Sequence, residues 1–413
     1  MKSEKIVVLE ATRGIAAIVV LLNHLLLAFF PRFDGLVFPD EHIALFGTPL
    51  FAFVNGTAAV ILFFVLSGFV LTVRAFQSQS SVPLFVGAFR RWPRLVGPVL
   101  IVNLASGFLA GWALYSNLPA AQLIDSPWLR TWFSRPPDQW QTVLDAANEG
   151  AVTTFLFGVS YFNSNLWTMY YEFFGSFIAF ALAGMMLLFG PLSLVALLVM
   201  VAAILATGSS AYFLSFVIGV ALAAFYASAR WDSFAAWASR RSKLWWLAAA
   251  CLIIVLFGYH EALLPTRHPL GLYAPLMPLY RATPIGTRVL LHGIASAAVL
   301  LLVLALPGPK RWLGGPAGAL LGRLSFPMYL LQVPVICSAG TALYIWLLPV
   351  LGHVPAGLIA AAASAAATLI LALPLMYFES WWLTALRRGT DKIGQTLILI
   401  ADPSAPRLGS SKR

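Results

Sequence analysis

Long apolar runs separated by short loops recur along the whole chain, and they limit what it can fold into. Within lipid every backbone hydrogen bond must be made internally, so a run of about 20 apolar residues crosses a bilayer as a helix. Only 10% of the residues are charged, against about 25% in a soluble protein. The sequence therefore predicts an all-α integral membrane protein with about ten transmembrane helices: Gly14–Phe30, Leu50–Val73, Leu95–Tyr115, Leu166–Phe189, Pro191–Ala206, Ala211–Ala227, Leu244–Tyr259, Ile285–Leu306, Leu324–Leu348 and Val354–Phe378.

Basic residues are concentrated in alternate loops between these runs. If the N-terminus is cytoplasmic, 20 Lys and Arg residues fall on the cytoplasmic side and 6 on the other. Such a bias is typical of membrane proteins, and it predicts that both termini are cytoplasmic. The net charge of +11 then reflects orientation, and nucleic acid is not expected as a partner. Residues 1–386 are predicted to form the transmembrane domain, and 387–413 a basic, disordered cytoplasmic tail.

The first apolar run carries two ionisable side chains, Arg13 at its edge and His24 near its middle. Eleven residues of helix separate them, which corresponds to roughly 16 Å along the axis. An ionisable group near the bilayer midplane is costly and often functional, and a neutral imidazole can act as a general base. A histidine that is hydrogen-bonded to a neighbouring helix is an equally good interpretation of this run alone.

Glu172 is a second ionisable group inside a predicted span, shortly after Leu166. It enters the membrane from the opposite side and reaches a depth similar to that of His24. Its carboxylate is therefore a candidate to orient the imidazole. The alternative is a structural ion pair with an arginine such as Arg288. For a lone glutamate the structural ion pair is the favoured interpretation. For a glutamate beside His24 the functional role is favoured.

Three arginines, Arg90, Arg91 and Arg94, cluster at the predicted cytoplasmic end of one span. Guanidinium groups bind phosphate oxygens in a bidentate manner, so a phosphorylated cytosolic molecule would bind well there. On spacing alone, topology marking or the binding of anionic lipid headgroups is favoured.

Two further segments contain residues that affect helix packing. Ser67 and Gly68 form a small pair inside an apolar helix, which lets a neighbouring backbone approach closely, and no nucleophile motif surrounds the serine. In Leu324–Val335 two prolines interrupt helical hydrogen bonding. Either Tyr329 and Gln332 face a cavity at this break, or the helix is kinked by packing.

The longest predicted outer loop, residues 116–150, is rich in tryptophan and in acidic residues. It could cover a substrate cleft, but an aromatic belt at the membrane interface is the simpler interpretation. The short apolar stretch Ala151–Phe162 is expected to be interfacial or re-entrant.

His292 is predicted to form a hydrogen bond between helices. The sequence contains no metal-ligand spacing of His, Cys, Asp or Glu, so no metal is expected.

Taken in order, these features resemble the membrane-bound acyltransferase-3 family, which includes O-antigen and nodulation-factor O-acetyltransferases. The resemblance extends from about Leu9 to Glu379. Its most specific mark is the pair Arg13 and His24 within LEATRGIAAIVVLLNH. The segments FFVLSGFVL, FRRWPRLVGP, LWTMYYE and LSFPMYLL match further family motifs in the expected order.

The resemblance implies an integral-membrane O-acyltransferase that moves an acyl group, expected to be acetyl, from acyl-CoA to a hydroxyl of a carbohydrate or of a glycosylated or macrolide-like acceptor. His24 would be the catalytic base, and Glu172 its partner or an acceptor ligand. The expected binding residues are Arg13, Arg90, Arg91 and Arg94 for CoA, and Ser67, Trp167, Tyr171, Tyr329 and Gln332 for substrate. The expected location is the bacterial inner membrane, with membrane lipid as a further partner.

One position departs from the family pattern, because many members carry histidine where this chain has Gln332. Proton transfer at this position is therefore in doubt, whereas hydrogen bonding is retained. A proton-coupled transporter or flippase for a glycosylated lipid is the alternative function, with His24 and Glu172 as coupling groups. It predicts flux without consumption of acyl-CoA. A scaffold in a polysaccharide-assembly complex is a third hypothesis, and it predicts that both residues tolerate substitution.

Overall fold

The structure is a computed structural model that describes residues 7–36, 44–133, 139–190, 211–261 and 271–401, with isolated positions between these ranges and side chains up to residue 389. The elements in these residues are helices, as predicted. The α-helices are α1 Val7–Phe29, α2 Pro31–Asp34, α3 Gly56–Ser78, α4 Val82–Gly111, α5 Asn117–Ile124, α6 Pro127–Arg130, α7 Gln139–Asn148, α8 Thr154–Phe157, α9 Trp167–Phe189, α10 Phe213–Tyr226, α11 Arg230–Ser239, α12 Lys243–Gly258, α13 Met277–Ala282, α14 Pro284–Ala305, α15 Pro307–Leu313, α16 Pro316–Val335, α17 Thr341–Leu351 and α18 His353–Ala401. Shorter 3₁₀ or π turns are Pro49–Phe53, Glu149–Thr153, Ser164–Leu166, Gly271–Leu276 and Ile336–Gly340.

Within the described residues, seven helical stretches are long and apolar enough to cross a bilayer, or eight if α10 and α11 count as one span bent by 92°. This confirms an all-helical protein with several membrane spans. Helix α12 covers the predicted run Leu244–Tyr259 except for its last residue, but it has only 16 residues. The predicted run Pro191–Ala206 lies outside the described residues. The count of about ten spans and the cytoplasmic position of both termini therefore stay predictions.

Helix α1 starts at Val7, earlier than the predicted start at Gly14, and ends at Phe29. It begins earlier because the residues before Gly14 are also mostly buried against the bundle. Arg13 consequently lies within the helix rather than at its edge. His24 lies five residues before the last residue of α1, roughly 8 Å along the axis. The histidine is thus closer to this end of the helix, termed the far end of the bundle, than to its middle.

Glycines let two helix pairs pack at backbone distance. A Cβ atom at Gly14 of α1 would lie 2.7 Å from the carbonyl of Leu321 in α16. At Gly68 of α3 a Cβ atom would overlap the backbone of Phe216 in α10. The close approach predicted for this small pair of residues is therefore confirmed. Close packing matters in lipid, because the hydrophobic effect does not drive membrane helices together.

The segment between α8 and α9 enters the bundle and binds the backbone of α16. Pro334 has no N–H, so it cannot pair with the Leu330 carbonyl in the preceding turn of α16. Asn163 Nδ2 donates to this carbonyl over 2.7 Å, and Asn165 Nδ2 donates to the Tyr329 carbonyl over 2.6 Å. The proline break in α16 is thus stabilised by two asparagines from a neighbouring segment.

The last helix continues beyond Arg387, where the sequence predicts that a disordered tail begins. Helix α18 runs from His353 to Ala401. No proline lies between Arg387 and Ala401, so nothing in this stretch forces the helix to end.

Candidate active site

A cavity lies among six helices, α1, α3, α4, α9, α16 and α18. It encloses about 710 Å³ of space free of protein atoms, including the part that is open to the surroundings. Its walls combine apolar side chains with arginines, glutamates and hydroxyl groups: Arg13, Val60, Phe63, Phe64, Ser67, Arg91, Arg94, Leu95, Thr168, Met169, Glu172, Ser325, Phe326, Tyr329 and Glu379.

The Glu172 carboxylate binds two other polar groups of the cavity wall. Arg91 Nη2 donates to its Oε1 and, over 3.2 Å, to the Glu172 backbone carbonyl. Ser67 Oγ donates to the same Oε1 over 2.7 Å. The Arg91 and Glu172 side chains are 5% and 15% exposed, so they form a largely buried ion pair. The structural ion pair considered for Glu172 is thus present, with Arg91 in place of Arg288, and the described contacts of the carboxylate do not include His24.

Two more arginines line the cavity. Arg13 is held against α16, because its Nε donates to Ser325 Oγ over 2.9 Å and its Nη2 donates to the Gly322 carbonyl over 3.2 Å. Arg94 lines the cavity, and its side chain is accessible. Glu379 of α18 is near enough to interact electrostatically with Arg94. The cavity therefore contains three cationic and two anionic groups.

The apolar part of the cavity is directed toward His24. Gly56, at the start of α3, packs against the side chain of Asn23, the neighbour of His24 in α1. Val60, which lines the cavity, follows after roughly 6 Å of helix rise. Ser67, in the charged part, lies roughly 10 Å further along α3. The guanidinium groups and the histidine therefore lie toward opposite ends of α1 and α3.

Phe63 and Tyr329 form part of the cavity wall. Their rings meet edge to face, with centroids 5.9 Å apart. Phe63 packs against the apolar cluster around the cavity and also against the cluster that contains Leu21 and Leu25 of α1.

His24 does not line the cavity and lies beneath Trp128 at the far end of the bundle. The two rings stack with centroids 5.2 Å apart and planes 18° apart. Trp128 belongs to the long predicted outer loop, so in the structure this loop covers the histidine. The Gln332 side chain lies within hydrogen-bonding range of the ring. His24 Nδ1 and Gln332 Oε1 are nevertheless both buried without a hydrogen-bond partner in the described part of the chain.

Trp167 and Tyr171 lie behind the cavity wall. Their rings pack on Tyr212, with centroids 5.4 and 5.0 Å from it. Tyr171 also contacts Phe64, which does line the cavity, at 6.1 Å between centroids. These aromatic residues therefore support the wall from outside.

The predicted site residues thus divide into two groups. The structure brings six of them to the cavity: Arg13, Ser67, Arg91, Arg94, Glu172 and Tyr329. It places five elsewhere: His24, Arg90, Trp167, Tyr171 and Gln332. Sequence patterns do not predict Thr168 or Ser325, since hydroxyl side chains are common in membrane helices. Glu379 had a usable signal, because it is an acid at the end of the last apolar run.

A second buried polar network joins the far ends of α10, α12 and α14. Arg288 donates to the Tyr212 hydroxyl over 2.9 Å, pairs with Glu261 at 2.9 Å, and lies 3.2 Å from His260 Nε2. Burial and then the Arg288 charge lower the pKa of His260 to about 3. Burial raises the pKa of Glu261, an effect that Arg288 opposes. His292 forms the predicted bond between helices, to the backbone carbonyl that follows α12, over 2.8 Å.

The comparison with protein families decides which class of protein this is. The model of the acyltransferase-3 family, described as an acyltransferase domain, matches residues 6–377. The chain belongs to the acyltransferase-3 family. The resemblance found in the sequence motifs is thereby confirmed, and family membership supports acyltransferase activity in a protein with several membrane spans. Comparisons with curated proteins and with solved structures found no match.

Proposed function

We propose that this acyltransferase-3 protein is an O-acyltransferase that transfers an acyl group from acyl-CoA to a hydroxyl of a carbohydrate or glycosylated acceptor. The polarity of the cavity carries the proposal, since guanidinium groups lie at one end and an apolar wall is directed toward His24 at the other. Acyl-CoA has a matching polarity, with phosphates at one end and the thioester at the end of a long neutral arm.

The cavity and its surroundings fit the length and charge of this donor. Arg91 is already neutralised by Glu172, so Arg13 and Arg94 are the groups best placed to bind phosphate. From Arg13 to His24 the rise along α1 is roughly 16 Å. The pantetheine arm of CoA has a backbone comparable to four extended residues, roughly 14 Å. A donor anchored by its phosphates would therefore bring its thioester close to the wall beside His24.

The proposed chemistry is a direct transfer with His24 as the general base. His24 removes the proton of the acceptor hydroxyl, whose oxygen forms a bond to the thioester carbonyl carbon. The carbon–sulfur bond breaks, and the imidazolium returns its proton to the CoA thiolate. The products are an O-acyl ester and free CoA. The bulk of Phe63 and Phe64 at the apolar end favours a short acyl group, with acetyl as the expected one.

The test is transfer from radiolabelled acetyl-CoA by purified protein in lipid nanodiscs, with cell-envelope glycans and small glycosides as acceptors. Loss of the general base should lower transfer by His24→Ala about 100-fold or more. His353→Ala is a matched control, because His353 binds Tyr344, neither residue lines the cavity, and the change should leave transfer unchanged. Full activity of His24→Ala would remove the histidine from catalysis. Lipid flux without consumption of acetyl-CoA would support the transporter instead.

A further inference from the structure

Two buried polar atoms lack partners at the proposed catalytic histidine. Gln332 is fully buried, and its Nε2 donates to the Tyr329 carbonyl over 3.2 Å. This bond sets the orientation of the amide and leaves Oε1 as its free end. Gln332 Oε1 and His24 Nδ1 both lack a hydrogen-bond partner among the described residues, although the two side chains lie within interaction range of one another. Buried polar atoms are rarely left unpaired, so the pair points to a ligand.

The chemistry of the two atoms restricts what this ligand can be. An amide oxygen only accepts hydrogen bonds, and an imidazole nitrogen that acts as a base also accepts one. A carboxylate or phosphate offers no hydrogen and would be repelled. One hydroxyl has one hydrogen and can serve only one of the two atoms. Two hydroxyls on adjacent carbons of a ring can serve both.

We propose that Gln332 selects acceptors with two adjacent hydroxyls, as on a sugar ring, an inference that rests on the proposed function. The hydroxyl to be acylated gives its proton to His24 Nδ1, while its neighbour donates a hydrogen bond to Gln332 Oε1. The second contact decides which hydroxyl of the ring faces the thioester. Gln332 is thereby a specificity-determining residue, and its role needs no proton transfer of its own.

The aromatic residues around His24 suit the same kind of ligand. Trp128 and Trp132 both pack against the apolar cluster that contains Leu21 and Leu25 of α1. The indole Nε1 of Trp132 is buried and lacks a partner in the described part of the protein. A free donor therefore lies against the same apolar cluster. A ring with several hydroxyls can donate to both acceptors at once, whereas an alcohol with one hydroxyl can donate to only one of them.

The experiment compares octyl β-D-glucopyranoside with its 2-, 3-, 4- and 6-deoxy analogues as acceptors in nanodiscs, using radiolabelled acetyl-CoA. Removal of the hydroxyl next to the acylated one should lower kcat/KM of the wild type roughly 10- to 100-fold, since a buried acceptor atom is left without its donor. Gln332→Met has a similar shape but no amide oxygen. With the parent glucoside, kcat/KM of this variant should be lower than that of the wild type by a similar factor. Removal of the neighbouring hydroxyl from the glucoside should then change kcat/KM of the variant by less than about threefold. Gln141→Met, the same change at an exposed position, is the matched control.

Each outcome separates this inference from the proposed function. If transfer depends on His24 but the wild type uses every deoxy analogue that keeps the acylated hydroxyl equally well, the inference is overturned and the proposed function stands. The inference is also overturned, and the proposed function stands, if His24-dependent consumption of acetyl-CoA occurs with other acceptors but never with these glucosides. If the wild type transfers no acyl group to any hydroxyl, the proposed function fails as well. Should Gln332→Met not fold, the wild-type comparison across the analogues still decides.

Discussion

The buried ion pair between Arg91 and Glu172 allows a quantitative test of how the cavity wall is held together. Arg91→Met keeps much of the side-chain length but leaves the Glu172 carboxylate without its counter-charge. Removing one partner of a fully buried pair costs about 3–5 kcal/mol. Glu172 is 15% exposed and keeps its bond to Ser67. We therefore expect Arg91→Met to lower the free energy of unfolding by about 2–4 kcal/mol.

A double substitution separates the ion pair from the rest of the packing. Glu172→Leu alone leaves the Arg91 guanidinium unpaired, so its cost should be similar, about 2–4 kcal/mol. The double variant Arg91→Met with Glu172→Leu removes both charges and should lose less than the two single variants together. The coupling energy is then about 2–3 kcal/mol, at the upper end of values for side chains in contact.

The assay is unfolding by SDS titration in mixed micelles, followed by tryptophan fluorescence. The control is Arg130→Met, which breaks an ion pair with Asp125 whose two side chains are 51% and 50% exposed. Exposed pairs contribute less than about 1 kcal/mol, so this variant should be close to the wild type. If the losses of the Arg91 and Glu172 variants simply add in the double variant, the ion pair does not stabilise the wall and the reasoning from burial is refuted.

Other changes test separate parts of the structure. Asn163→Leu leaves the Leu330 carbonyl buried without a donor and should cost about 1–3 kcal/mol in the same titration; an unchanged midpoint would contradict the role given to this asparagine. Gly68→Ala forces a Cβ atom into a neighbouring backbone and should sharply reduce the folded yield in size-exclusion chromatography. Gly308→Ala is the control, because a Cβ atom there would have nothing within 4 Å, and equal yields of the two variants would count against the close packing. Burial raises the pKa of Asp34 to about 7, so between about pH 4 and pH 7 the folded state holds a proton that the unfolded state releases. Stability should therefore fall as the pH rises through this window, and thermal midpoints of Asp34→Asn should lack that fall.

Charged residues inside apolar runs and at their ends predicted much of the cavity. Glu172 stands out inside one run, and Arg13 and Arg91 stand out at the ends of two others, because such groups must face protein or water rather than lipid. The contacts they make could not be predicted, since Arg91 and Glu172 are 81 positions apart and meet only when α4 and α9 pack. An arginine elsewhere, Arg288, was an equally reasonable partner until its own bond to Glu261 was known.

The class of fold follows from composition and from the length of the apolar runs alone, because a chain in lipid must satisfy its backbone within each helix. The same rule does not state how far each helix rotates about its axis or which neighbour it meets. Those choices depend on close contacts such as Gly68 against α10 and on side chains that repair a broken helix, such as Asn163 against α16. They leave His24 outside the cavity and bring Phe63 and Tyr329 together in its wall, which no local pattern reveals, because the two rings come from helices far apart in the chain.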